Sequence, residues 1–251
     1  MTNILVIPDC QVKPGVPLDH LRSLSKLIIE RQPSVIINLG DFYDLPSLSS
    51  YDVGKKAMEG RRLMDDIYYG NHAMGVLLGD LKDLQEQQRK NKKKVYNPEM
   101  HFLVGNHENR LERHIESNPQ LEGVIGYDSF NLSDWTVHPF KSVLNHSGIS
   151  FSHYFYNPLS GVPIGGSIDN RLNKLQGSFV QGHQQVFMYG QKQTLTGTHH
   201  GLVAGAFYMH NEEYIGPQAQ DHWRGIVMLN NAHNGEYDLE VISLNRLMKM
   251  Y

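Results

Sequence analysis

The sequence holds a single cysteine, Cys10, in 251 residues. An intramolecular disulfide is therefore impossible, and a reducing compartment is the expectation. No uninterrupted apolar run approaches the roughly 18 residues that a membrane-spanning helix requires, which excludes such a span. The start, MTNILVIPDC, lacks the basic opening and long apolar stretch of a secretory signal, so a cytoplasmic location is expected. Excess positive charge is missing too: 23 Lys and Arg stand against 26 Asp and Glu, a formal charge of −3. That balance excludes a bulk nucleic-acid binder of the basic-patch kind. There are no internal repeats, low-complexity tracts or linkers long enough to separate two domains. One domain over residues 1–251, with a helical insertion at about 57–94, is expected.

What is present is a globular composition, 40% hydrophobic and 10% aromatic, which excludes a disordered chain. A chain of this length buries most of its unfolded surface without a disulfide or structural zinc. The 14 histidines are many for this length, and imidazole is both the commonest metal ligand and a proton shuttle. Their places in the sequence matter more than their number.

ILVIP at 4–8 is a short apolar run that stops at Asp9. Leu18, Leu21, Leu24, Leu27 and Ile28 then recur at helical spacing, and VIINLG at 35–40 runs into Asp41. This is a βαβ unit, whose functional loops sit at the carboxyl ends of its strands. The polar helical segment at 57–94 ends in Arg89, Lys90, Lys92, Lys93 and Lys94. Those charges suit the negative end of a solvated helix, or a contact with a phosphate-rich substrate. MHFLV at 100–104 leads into GNHE. Beyond about residue 135 come the short strand patterns TVHPF, ISFSHYF, SFVQGH, GLVAGAF, RGIVMLN and YDLEVISL, with one clear helix at 169–176. An α/β first half and a β-rich second half predict two packed sheets flanked by helices.

Four of these strands end in a residue able to bind a metal: Asp9, Asp41, Asn106 and His183. His153 lies inside ISFSHYF, with loop beyond it. Carboxylates, an amide and imidazoles converging on a buried sheet edge are costly unless cations neutralise them.

The series Asp9-x-Gln11, Gly40-Asp41-x-x-Asp44, Gly105-Asn106-His107-Glu108, His153 and Gly182-His183-Gln184-Gln185 resembles the calcineurin-like metallophosphoesterases. Their usual pattern is DxH, GDxxD, GNH followed by D or E, a lone His, then GHxH. The resemblance implies a four-layer αββα sandwich of two mixed sheets, with the metal site at the carboxyl edge of the strands. GNHENRLERH, YMHNEEYIGPQ and WRGIVML look most like phage-encoded members, which would place the protein in a host cytoplasm.

The resemblance further implies that Asp41 bridges two metals, with Asn106, His153 and His183 completing one site. Asp9, Gln11 and Gln185 would hold the other, which departs from the family in both of its histidines. Glutamine offers a neutral, hard oxygen, so this weaker site is expected to prefer Mn²⁺ or Mg²⁺ over Zn²⁺ or Fe; a one-metal protein is the alternative. Two cations roughly 3.5–4 Å apart would hold a bridging hydroxide for in-line attack on phosphorus. By the same resemblance His107 is the general acid and Asp44 the carboxylate that orients it. Arg110 either reaches a substrate phosphate or stands exposed on the helix that begins there.

Several other candidates point elsewhere. Gly70-Asn71-His72 repeats the GNH letters inside a helical segment, so His72 has no reason to face the site. His199 and His200 read as loop or strand-end residues, while His101, His138 and His146 have no usable spacing. Cys10 lacks a base partner in the sequence. Leu45-Pro46 after Asp44, and Val104 before Gly105, replace the arginines with which related protein phosphatases grip a phosphomonoester. A phosphodiester of nucleic acid or nucleotide is therefore the expected substrate. A phosphomonoesterase and a catalytically degenerate metal-stabilised binding module are the alternatives, and no membrane partner is expected.

Overall fold

The computed structural model describes residues 1–195, 197–211 and 222–251. The first strand, β1 (Thr2–Ile7), sets the layering. Ile4 and Val6 face one hydrophobic cluster and Leu5 and Ile7 another, so both faces are buried and the strand reads as a continuous apolar run. It pairs in parallel with β2 (Val35–Asn38), which pairs with β3 (Glu99–Leu103) and that with β4 (Thr136–His138). On the other side of β1, β10 (Gly225–His233) and β11 (Glu236–Ser243) are antiparallel, giving the order β11-β10-β1-β2-β3-β4.

The second sheet runs β5-β6-β7-β9-β8, built from β5 (Leu144–His146), β6 (Ile149–Ser152), β7 (Phe179–Gln181), β8 (Phe187–Thr194) and β9 (Gly197–Ala204). Its inner pairs β6/β7 and β7/β9 are parallel and its outer pairs antiparallel. Ile4, Val6 and Ile37 of one sheet meet Phe151, Val180 and Leu202 of the other in a single cluster. Helices α1 (Asp19–Arg31), α2 (Leu63–Lys90), α3 (Asn109–Ser117) and α5 (Leu244–Met250) cover the far side of the first sheet. Helix α4 (Ile168–Leu175) covers the second through Ile168, Leu172 and Phe179. The fold is thus the expected four-layer sandwich of two mixed sheets between helices.

Local signals account for much of this. In α1 the spaced residues Leu21, Leu24, Leu27 and Ile28 are all buried, and Gln32 ends the helix in a left-handed conformation with its N–H on the Ile28 carbonyl. The polar segment expected at 57–94 is helical from Leu63, and its stripe Ile67, Ala73, Met74, Leu77, Leu78 and Leu81 is buried. Its basic end is solvated, with Lys90 paired to Glu86 one turn back. Strand β8 has no strand signature in its sequence, FMYGQKQT; it is an edge strand held by an eight-pair antiparallel ladder to β9. The strand expected over YDLEVISL stops at Ser243, whose side chain caps α5, a helix absent from the sequence expectations. Residues 212–218 of the YMHNEEYIGPQ stretch lie outside the described residues. Among the described residues no helix is long and apolar enough to cross a membrane.

Candidate metal centre

Strands β1, β2 and β3 are mutually parallel, as are β6 and β7, so each set delivers its following loops to one edge. The two sets meet. The His183 N–H donates to Asp9 Oδ1 at 3.0 Å, the Gly182 N–H donates to the His153 carbonyl at 3.1 Å, and His153 Nδ1 lies 2.8 Å from the Leu39 carbonyl. Residues from four strand ends therefore share one site, and Asn106 after β3 joins as the fifth through His153.

The backbone here is unusual. Gln11 (φ 43°), Asp41 (φ 51°), His183 (φ 69°) and Gln185 (φ 58°) are all left-handed, a region that non-glycine residues rarely adopt. Each such residue costs on the order of 1–3 kcal/mol and persists where the surroundings over-determine it. Glycine provides the clearance: a Cβ on Gly105 would lie 2.2 Å from Asp41 Oδ1, and one on Gly182 would lie 2.6 Å from Asp9 Oδ1.

Donor atoms of Asp41, His153 and His183 lie within 4.8 Å of one another. His153 Nε2 is 3.3 Å from Asp41 Oδ2 and 2.9 Å from Asn106 Oδ1. With Nδ1 engaged by the Leu39 carbonyl, Nε2 is the nitrogen free to take a cation in the neutral ring. Burial alone would lower the His153 pKa, but Asp41's charge and hydrogen bond push it up to about 9. Burial likewise opposes ionisation of Asp41, yet the His107 and His153 charges hold it well below the carboxylate range.

On the other side, Asp9 Oδ2 and both amide atoms of Gln11 are buried without a hydrogen-bond partner among the described residues. Burial pushes the Asp9 pKa up to about 6, with Asp41's charge adding to it against that of His153. Buried polar groups are normally satisfied, and leaving each one unpaired costs about 1–3 kcal/mol. A cation between Asp9 and Gln11 would partner the two oxygens, Asp9 Oδ2 and Gln11 Oε1, while the Gln11 Nε2 donor would still lack an acceptor. Gln185 is less open, because its Oε1 accepts a hydrogen bond from the Tyr208 hydroxyl at 2.9 Å. The donor atoms present fit divalent cations: hard oxygens at Asp9 and Gln11, and mixed oxygen and imidazole at Asp41, Asn106, His153 and His183.

Beside Asp41 stands a histidine–carboxylate pair. His107 Nδ1 lies 2.7 Å from Asp44 Oδ1 and 3.1 Å from the Asp44 carbonyl, both acceptors, so Nδ1 carries a proton. Its Nε2 is 3.6 Å from Asp41 Oδ2 and 3.2 Å from Arg110 Nη2. Burial lowers the His107 pKa, but Asp41's charge and the Asp44 hydrogen bond outweigh it and raise the value above the imidazole norm. Against its own burial, Asp44 is held at about 2 by the His107 hydrogen bond and charge, with Lys13 and Arg110 contributing. Arg110 is not exposed: its guanidinium donates to the Asp44 carbonyl at 2.8 Å and turns toward His107. A cavity of about 730 Å³ opens beside this pair, lined in part by Lys13, Asp44, Arg61, Arg62, Arg110 and His210.

Glu108 has no role in the sequence reading. It is fully buried and accepts three backbone hydrogen bonds, from Asp41 (2.9 Å), Gly105 (2.9 Å) and Tyr43 (2.8 Å). It thus ties the loop carrying Asp41 to the loop carrying Asn106, and the only hint of it is the last letter of GNHE. Burial, reinforced by Asp41's charge, pushes its pKa up to about 7. The second GNH lies within α2, where Asn71 holds the Tyr43 hydroxyl at 3.0 Å. His199 and His200 lie in β9, and His200 bonds to Tyr189 at 3.0 Å. Cys10 is buried and its thiol is pushed well up by burial and the charges of Asp9 and Glu108, which makes it inert.

The sequence matches no protein-family model and no curated protein. Solved structures with a similar chain path include Yfce, a phosphoesterase from E. coli, at 12% identity and a TM-score of 0.45, covering 97% of this chain and 93% of that one. Vps29 from Chaetomium thermophilum is similar at 11% identity and a TM-score of 0.39, covering 96% and 97%.

Proposed function

We propose that this chain is a metal-dependent phosphoesterase of the calcineurin-like type that hydrolyses a phosphodiester of nucleic acid or nucleotide. The observation that carries this reading is a protonatable imidazole held by a carboxylate, His107 on Asp44 at 2.7 Å, directly beside the Asp41–His153–His183 group. Asp41, Asn106, His153 and His183 would hold one divalent cation, and Asp9 and Gln11, with Asp41 and Gln185, a second and weaker one. Mn²⁺ suits the oxygen-rich second set. Bound there, such cations supply positive charge for phosphoryl oxygens and lower the pKa of water.

The chain's own residues perform the rest. His107 would deliver a proton from Nε2 to the departing alkoxide once Arg110 Nη2, which donates to Nε2 at 3.2 Å in the structure, turns aside. Asp44 fixes the ring through Nδ1 and stabilises its charged form. Arg110 locks the Asp44 backbone and places positive charge beside the leaving-group side of the site. The adjoining cavity has room for the second ester arm of a diester, and its wall is charge-balanced, with Lys13, Lys55, Arg61 and Arg62 set among Asp52, Glu59, Asp65 and Asp66. Phage-encoded relatives remain the origin that the sequence motifs favour.

The Tyr208–Gln185 hydrogen bond favours a second reading, in which only the Asp41 site fills and the protein binds without catalysis. One experiment separates the two: hydrolysis of a chromogenic phosphodiester by metal-stripped protein refilled with Mn²⁺, with His107→Ala alongside. Turnover that needs both Mn²⁺ and His107 supports the phosphoesterase. Absence of turnover on diester and monoester alike, with one cation still bound, supports the binding module.

A further inference from the structure

Histidines without usable spacing in the sequence meet at the open edge of the sandwich, where β4 ends one sheet and β5 ends the other. Glu99, the first residue of β3, lies between two imidazoles. Its Oε1 is 2.7 Å from His101 Nε2, and its Oε2 is 3.6 Å from His146 Nε2. His101 belongs to the first sheet and His146 to the second, so the carboxylate spans the gap between the sheets.

Each of these imidazoles has its other ring nitrogen engaged. His101 Nδ1 lies 3.0 Å from His138 Nε2, and His146 Nδ1 lies 3.0 Å from the Ser147 hydroxyl. Metal-binding histidines are oriented in this way, with the distal nitrogen hydrogen-bonded so that the proximal one presents its lone pair. His138 Nε2 is placed to accept the His101 Nδ1 proton at that distance.

We propose that Glu99, His101 and His146 form a separate, three-ligand site for a zinc-type divalent cation that joins the two sheets at this edge, with its fourth position left to water. Two imidazole nitrogens and one carboxylate oxygen, completed by water, are a normal tetrahedral set for such an ion, with ligand distances of about 2.0–2.2 Å. The His101 and His146 rings are 6.3 Å apart between centroids, so the site is looser than the Asp41 group. The three ligand atoms do not all lie within 4.8 Å of one another, so a bound cation must draw them together, and the Glu99 carboxylate, 55% exposed, is the freest to move. The catalytic loop leaves the opposite end of β3, six residues from Glu99, a separation of about 20 Å along an extended strand. Occupancy here is therefore independent of the hydrolytic reading.

The test is a Zn²⁺ and Co²⁺ titration of the metal-stripped full chain, counting equivalents and recording the visible Co²⁺ spectrum. His146→Ala and Glu99→Gln alter side chains that are not deeply buried, so the fold survives. Each is expected to bind one equivalent fewer than the parent, to lose the tetrahedral Co²⁺ absorption of that equivalent, and to keep any phosphodiester turnover. His138→Asn leaves all three ligands and should weaken the same equivalent about tenfold. Equal stoichiometry and identical spectra in the parent, His146→Ala and Glu99→Gln would overturn the proposal, leaving an ion-paired His–Glu–His cluster.

Discussion

The carboxylate of Glu108 accepts the backbone N–H of Asp41 at 2.9 Å, holding the central carboxylate of the site by its main chain. The same side chain takes the N–H groups of Gly105 and Tyr43, so one residue sets the spacing of two ligand loops. Glu108→Ala orphans three buried donors at about 1–3 kcal/mol each, and a loss of several kcal/mol is expected in urea unfolding. Glu108→Gln keeps part of the acceptor set and should lose less. Equal midpoints for Glu108→Ala and the parent would refute this bracing role.

Glycine at 105 and 182 is a clearance requirement rather than a flexibility requirement. Gly182→Ala drives a methyl to within 2.6 Å of Asp9 Oδ1, and the carboxylate must move. Affinity for the cation held by Asp9 and Gln11 should fall on the order of 10–100-fold, with little change at the His153 side. Mn²⁺ titration followed by electron paramagnetic resonance resolves the two.

The His107–Asp44 pair makes the pH dependence a signed prediction. A general acid must be protonated, and Asp41's charge and the Asp44 hydrogen bond raise the His107 pKa above the ordinary imidazole value of 6.5. Turnover should therefore persist through neutrality and fall as pH rises through that raised pKa. Asp44→Asn removes the hydrogen bond and charge that raise it, so the alkaline limb moves to lower pH and kcat falls about 10²-fold or more. An unmoved limb would show that another group titrates. The same pairing contributes stability above Asp44's unfolded pKa of 3.8, and that contribution is lost as pH falls toward its folded value of about 2.

His20 gives a stability prediction away from the metals. It is buried against Phe207, with ring centroids 4.9 Å apart, and neither ring nitrogen has a hydrogen-bond partner among the described residues. Burial lowers its pKa from 6.5 to about 4, with the His210 charge adding to the effect. Below pH 6.5 the unfolded chain takes up the proton first, so stability declines as pH falls toward 4, by up to about 3 kcal/mol. Melting curves at pH 7.5 and 5 should show this decline, and His20→Leu should flatten it.

Removal of divalent ions should also destabilise the fold, since Asp9 Oδ2 and Gln11 Oε1 then lack partners. A chelator is expected to lower the melting temperature, and excess Mn²⁺ to restore about 2.7 kcal/mol at a hundredfold over its Kd. No shift on chelation would count against a cation at Asp9.

The sequence by itself determined the buried strands that lead into the site and what stands at their ends, though not the edge strands β5 and β8. An apolar run such as ILVI followed by Asp9 is a local signal, because a strand buried on both faces needs hydrophobic residues throughout and changes character where it reaches the edge. Parallel strands then force Asp9, Asp41 and Asn106 to one side. Tertiary structure alone decided which atoms meet there. Asp9 and the His183 N–H are 174 residues apart, so their 3.0 Å contact depends on how the two sheets stack. Stacking likewise engaged Gln185 with Tyr208, turned Arg110 inward onto Asp44, made Glu108 a brace and gathered His101, His138 and His146 around Glu99. Residue type and local period encode burial and element ends, whereas side-chain partners are set by packing between segments distant in the chain, which no local pattern records.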